Sequence, residues 1–227
     1  MRIPFFHYTC LDNLPGILKD ARLVSRHSLT EKNAKFNDIS IDPSQSVRGA
    51  LGLLNYVPLF AGFYELYRSF ELNGYLTNKY DDPKVQNKSF YGTLHKTLQN
   101  KMVDRYEDVI ILLVNDELVY KYADQGRVRF FTDIALKEHA TEVPVSNRAD
   151  LLSCLKAGIE GSNISGEIDI LDDGKMSIRC MPDIEAIIVD SKGIKKKVAE
   201  ILTKYPCGEG PSPLILVSKL PRDSVQG

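Results

Sequence analysis

The side chains able to do chemistry in this sequence are few and widely spaced. His7 stands inside the apolar run "FFHYTCLDNLPGIL", with Thr9 two residues further on. A lone imidazole on an apolar strand is more often a satisfied core residue than a ligand holder, so both readings stay open from composition. In "SGEIDIL", Glu167 and Asp169 share one face if the segment is a strand, and Gly166 beside them permits close approach of a ligand or backbone. The plain alternative is an acidic pair on the exposed face of a hairpin. Arg48 lies between a polar stretch and the apolar "YVPLF", and a surface arginine is the bland reading. Tyr56 can line a pocket or simply pack.

The common phosphate, metal and nucleophile motifs are missing: no P-loop, no GxGxxG between a strand and a helix, no HExxH and no GxSxG. Four cysteines (Cys10, Cys154, Cys180, Cys207) lie far apart without a CxxC pair, so neither a zinc site nor a disulfide framework is expected. No metal is expected, and a reducing, cytoplasmic setting follows. With 29 basic and 30 acidic residues, the net charge of -1 gives no bulk sign of a nucleic-acid or membrane-surface binder. "MRIPFF" is too short for a signal-peptide core, and no apolar run approaches the roughly 20 residues that span a bilayer.

Those side chains need elements to position them. The 227 residues are 43% hydrophobic, ample for a sizeable core, and the mixture of short apolar runs and amphipathic segments predicts an α+β fold. Strands are expected at "IPFFHYT", "YVPLF", "DVIILLVND", "VRFFTD", "IEAIIVD" and "PLILVSK", with a hairpin joining "GEIDIL" to "KMSIRCM" across Asp172-Asp173-Gly174. Helices are expected after Asp12 or Asn13, with Pro15 in the first turn, and at "GFYELYRSFELNGYL", "NRADLLSCLKAGI" and "SKGIKKKVAEILTKY". The aromatic stripe Phe63, Tyr64, Tyr67, Phe70 reads as core, and the Lys195 to Lys197 run as a solvated helix face. The polar stretch from Ser25 to Ser46 reads as a long, mostly irregular excursion, and residues 77–106 as a peripheral insertion containing one helix, in a single domain spanning 1–227.

The order of these segments, from "HYT" with "DNLPGIL", through Arg48 and "YVPL", to "FTD" and an acidic residue in a late strand, resembles the DarT family of nucleic-acid ADP-ribosyltransferase toxins. The resemblance covers about His7 to Asp190. It implies an α+β transferase core of two packed β-sheets with flanking helices, and NAD as co-substrate. By the same resemblance Glu167 is the catalytic carboxylate, holding the ribose 2′-hydroxyl, stabilising the charge of an oxocarbenium-like ribose and able to take a proton from the incoming base. His7 matches a histidine that binds the adenosine-side ribose or nearby backbone, Thr9 a backbone contact to the nicotinamide amide, and Arg48 an arginine of catalysis and pyrophosphate binding, a task that suits a guanidinium because its fork pairs two phosphate oxygens without losing its charge and for which Arg22 and Arg26 compete. Tyr56 would line the nicotinamide pocket. Phe131, Thr132 and Asp133 would form a strand end near the site, where Asp133 is equally a turn residue, and His139 lies just beyond. Ser162, Asn163 and Ser165, in the loop before the glutamate, could read a base edge or form an ordinary turn.

The family implies a pentosyl transfer from NAD to a nucleobase in single-stranded DNA, by the toxin of a toxin–antitoxin pair. Its partner would be an ADP-ribosyl-hydrolase antitoxin of macrodomain or related type. The sequence departs from the family in one respect: relatives often carry basic residues just before the late glutamate, whereas "GIEGSNISGEIDIL" has none, the nearest being Arg148 and Lys156. An NAD-using transferase acting on RNA or protein, including one like the RNA 2′-phosphotransferases, and a non-catalytic NAD- or nucleic-acid-binding module are the alternatives.

Overall fold

A computed structural model describes residues 2–31, 47–61, 75, 79–80, 108–132, 141–160, 166–173, 178–179, 183–206 and 211–217. The apolar segments become strands β1 (Phe5–Cys10), β2 (Tyr56–Ala61), β3 (Val109–Val114), β4 (Val128–Thr132), β5 (Thr141–Val143), β6 (Gly166–Leu171), β7 (Ile184–Val189) and β8 (Leu214–Val217). They form one hydrogen-bonded sheet in the order β5-β4-β6-β2-β1-β3-β7-β8. Only β7 and β8 run parallel, linked through a helix, as parallel neighbours require. β3, "VIILLV", is buried at every position because it lies inside the sheet with both faces covered.

Among the described residues the helices are α1 (Leu14–Asp20), α2 (Arg26–Glu31), α3 (Val47–Ala50), α4 (Asp116–Asp124), α5 (Arg148–Glu160) and α6 (Lys192–Lys204). No helix among them is long and apolar enough to cross a membrane. Apolar residues of α1, α4, α5 and α6 join Phe5, Val57, Leu59, Ile110, Leu112, Ile168, Ile170, Val128 and Phe130 in one core cluster. Strand alternation puts those sheet residues on a single face, so the helices cover that face and the other is left for Phe6, Tyr8, Phe60, Phe131, Glu167 and Asp169.

Two expectations change. Asn13 occupies the N-cap position of α1 without capping it, because its backbone is already helical (φ -81°, ψ -21°) where a capping residue is extended, and its Nδ2 donates to Thr9 Oγ1 at 3.2 Å. The hairpin between "GEIDIL" and "KMSIRCM" does not form, since β2 and β4 take both edges of β6, and Arg179 instead bridges to Arg22. The excursion opens with α2, and α3 follows it directly. Helix α4 was not anticipated, although Asn115 caps it by accepting from Glu117 N at 2.9 Å. The helix expected at "GFYELYRSFELNGYL", its aromatic stripe, and nearly all of 77–106 lie outside the described residues.

α1 ends at Ala21, which takes the left-handed conformation (φ 54°) that glycine adopts without a Cβ penalty. Ala21→Gly is expected to raise stability by about 0.5–1 kcal/mol in chemical denaturation, the relief of strain exceeding the added freedom of the unfolded chain.

Candidate functional site

The ladder between β1 and β2 consists of two pairs, Phe5↔Ala61 and Phe6↔Phe60. Beyond it β1 runs on to Cys10 in register with β3, while β2 extends back to Tyr56 in register with β6. The sheet therefore has two four-stranded halves, β5-β4-β6-β2 and β1-β3-β7-β8, joined at a short seam. The His7 ring bridges the divergence, with Nδ1 2.9 Å from the Pro58 carbonyl oxygen. A carbonyl only accepts, so Nδ1–H donates, and in the neutral ring Nε2 is left as an acceptor. Pro58 helps end the ladder. In a strand one residue's N–H and C=O point to the same neighbour, so the residue whose carbonyl faces His7 would have aimed its amide hydrogen there too, and proline has none.

Glu167 stands opposite Phe60 of β2 and Phe131 of β4, and Asp169 opposite Pro58 and Arg129. Glu167 is 6% exposed and Asp169 0%, which excludes the reading of an acidic pair on a solvated hairpin face. Tyr8 meets Phe60 edge-on, with ring centroids 5.7 Å apart, on the same face. Arg129 completes that face. Its Nε and Nη2 donate to the two Glu142 oxygens at 2.7 and 2.6 Å, and its Nη1 donates to the Leu51 carbonyl at 3.1 Å. The guanidinium carbon lies 5.5 Å from the Tyr56 ring centroid and 4.9 Å from that of Phe131. The hydrogen bonds from Arg129 hold the Glu142 carboxyl below the ordinary glutamate range, and the same bonds, with Asp169 among the nearby charges, raise Arg129.

A buried carboxylate ties down the end of β6. Asp172 accepts from Arg22 Nη1 at 3.0 Å, from the Ser25 amide at 2.6 Å and from Ser28 Oγ at 3.1 Å. Its own amide donates to the Asn55 carbonyl, and the His27 amide donates to the Leu54 carbonyl. The start of α2 and the turn between α3 and β2 are thereby laced to the strand that carries Glu167.

The structure thus groups Glu167 and Tyr56 on one face and sets His7 at the seam. Thr9 falls on the helix-covered face, buried, with its hydroxyl accepting from Asn13. Arg48 lies in α3 by its backbone; its side chain and that of Arg26 lie outside the described residues, as do Ser162, Asn163, Ser165, Asp133 and His139. Arg22 is committed to Asp172. Sequence reasoning missed Arg129, Glu142 and Asp172. Alternation in "VRFFT" does put Arg129 on a face with Phe131, but only the long-range pairing with β6 brings it to Asp169.

No protein-family model matches the sequence, and no curated protein matches it. Solved structures do. Thermus sp. 2.9 DarT in complex with carba-NAD+ superposes with a TM-score of 0.55 at 18% identity, covering 95% of each chain. This chain has the DarT fold. A second Thermus DarT structure, in complex with ADP-ribosylated ssDNA, gives a TM-score of 0.50 at 18% identity over 95% of this chain and 94% of that one. Thermosipho africanus DarTG in complex with ADP-ribose gives 0.52 at 11% identity; 96% of this chain matches 50% of the DarTG chain. The DarT fold agrees with the α+β class and flanking helices expected from sequence; in place of two packed β-sheets the strands form two halves of one eight-stranded sheet joined at the seam.

Proposed function

We propose that this chain is an NAD-dependent mono-ADP-ribosyltransferase that modifies a nucleobase in single-stranded DNA, as the toxin of a toxin–antitoxin pair. One observation carries the reading. A glutamate buried on an inner strand flanks a seam where the sheet opens, in a chain sharing its fold over 95% of its length with DarT structures holding carba-NAD+ and ADP-ribosylated ssDNA. His7 and Glu167 belong to opposite faces by strand alternation, so NAD would lie where β1 and β2 diverge and a ligand can meet both.

In the reaction the bond from the nicotinamide ribose to nicotinamide breaks and its electron pair leaves with the nicotinamide. A ring or exocyclic nitrogen of the base bonds to the same ribose carbon and gives up its proton. Glu167 is assigned to hold the 2′-hydroxyl, stabilise the positive ribose and accept that proton; out of water, a fixed carboxylate does this without solvent reorganisation. His7, its Nδ1–H engaged by Pro58, offers Nε2 to a ribose hydroxyl. Arg48 is assigned to the pyrophosphate, Tyr56 to the nicotinamide pocket, the Thr9 backbone to the nicotinamide amide, and Ser162, Asn163 and Ser165 to the acceptor base. Residues 1–227 form one transferase domain in this reading, with 77–106 peripheral to it. The partner is an ADP-ribosyl hydrolase of macrodomain or related type; the DarTG chain, half of which this chain matches, was solved with ADP-ribose.

The deciding experiment is mass spectrometry of mixed-sequence single-stranded DNA and RNA oligonucleotides incubated with NAD and the protein. A gain of one ADP-ribose on DNA alone is the expected result. Nicotinamide release without an adduct on either polymer would remove the nucleic-acid acceptor, and no release at all would remove the enzyme reading.

A further inference from the structure

Resting on that reading, we propose that Arg129 is a positioning residue for the transfer. It locks Tyr56 and the turn after α3 against the face that carries Glu167, and supplies the positive charge that face requires. Two carboxylates two residues apart, both buried on one face, disfavour each other's ionisation, and burial disfavours it further. A cation must therefore stand close for Glu167 to act as an anion. Among the described strand residues of that face Arg129 is the one cation, directly opposite Asp169 and on the diagonal from Glu167, roughly 7–8 Å away in an ordinary antiparallel pair.

The rest of its surroundings make Arg129 a fixed charge rather than a mobile one. Glu142, on the edge strand, grips two of its nitrogens, and the Leu51 carbonyl takes the third. Leu51 directly follows α3, the helix whose backbone carries Arg48. Leu53, two residues later, is fully buried and clusters with Phe131, Leu51 and Tyr56. A single guanidinium thus joins the outer strand, the turn after Arg48, the ring of Tyr56 and the acidic face. Lysine would keep the charge but lose the fork and the planar stacking.

The described titratable and charged groups on the Glu167 face are Asp169 of β6, Arg129 of β4, Glu142 of β5, Tyr56 of β2, and Tyr8 and Cys10 of β1. Removing Arg129 takes away the positive member of that set. The carboxylate then protonates at higher pH, and the acidic limb of the rate profile moves upward.

The test compares kcat and KM for NAD, across pH, for ADP-ribose transfer to single-stranded DNA by wild type, Arg129→Met, Arg129→Lys and Glu142→Gln, with thermal melts of each. Arg129→Met is expected to lower kcat about 10²-fold, with KM for NAD within about threefold, and to raise the acidic limb of kcat/KM by about one pH unit. Arg129→Lys is expected to restore the limb while kcat stays about tenfold down, and Glu142→Gln to lower kcat without moving the limb. If Arg129→Met does not fold, the other two variants decide: wild-type kcat in both overturns the inference. A folded Arg129→Met with an unmoved limb also overturns it, since a merely structural arginine would lower stability without touching the pH profile. No transfer by the wild type would instead overturn the preceding reading, and this inference with it.

Discussion

Glu167→Gln is expected to lower ADP-ribose transfer about 10³-fold while leaving the protein folded. Glutamine has the same shape and keeps a hydrogen-bonding carbonyl, so the contacts between Phe60 and Phe131 survive. Only the negative charge and the proton-accepting oxygen are lost. Transfer at the wild-type rate by a normally folded Glu167→Gln protein would sink the assignment. The same variant separates the nearest alternative, because a 2′-phosphotransferase relies on basic residues and would keep its activity.

Asp172→Ala carries the largest expected loss of stability, about 3 kcal/mol in urea denaturation. The side chain is 1% exposed and satisfies an arginine, a backbone amide and a serine hydroxyl. Deleting it strands a half-buried guanidinium and an amide without an acceptor, which costs more than the pair's own net contribution. An effect on function should accompany it, since the start of α2 is anchored there to the end of the Glu167 strand. KM for NAD should rise more than kcat falls if the tie holds a binding segment rather than the reacting groups. A loss of less than about 1 kcal/mol, the range of an exposed ion pair, would show that water replaces the tie.

Local pattern and residue type together pick out positions in the sequence rather than their roles. His7 within an apolar strand and Glu167 after a glycine could both be singled out, and the two fall at the seam and on the buried face beside it. The Thr9 side chain falls on the helix side and accepts from Asn13. The hairpin after Asp172 failed because turn chemistry can suggest a local return, while β6 already had β2 and β4 on its edges. Helix α4 was missed although its signals, an asparagine cap and acids in the first turn, are local.

What the sequence by itself determined is the set of elements and their inward faces: alternation and unbroken apolar runs bury the same residues whatever their neighbours, so β1, β2, β3, β4 and β7 were readable within a residue or two at most ends. Pro58 belongs with these, because a missing amide hydrogen limits a ladder wherever the strand is placed. Only the tertiary structure decided that the ladder ends opposite His7, that an arginine from β4 meets the acids of β6, and that Asp172 receives donors from residues 22–28. The reason is physical. These contacts join segments up to 150 residues apart in sequence, and their pairing follows from how the whole sheet minimises exposed apolar area and unpaired backbone, a property of no single segment.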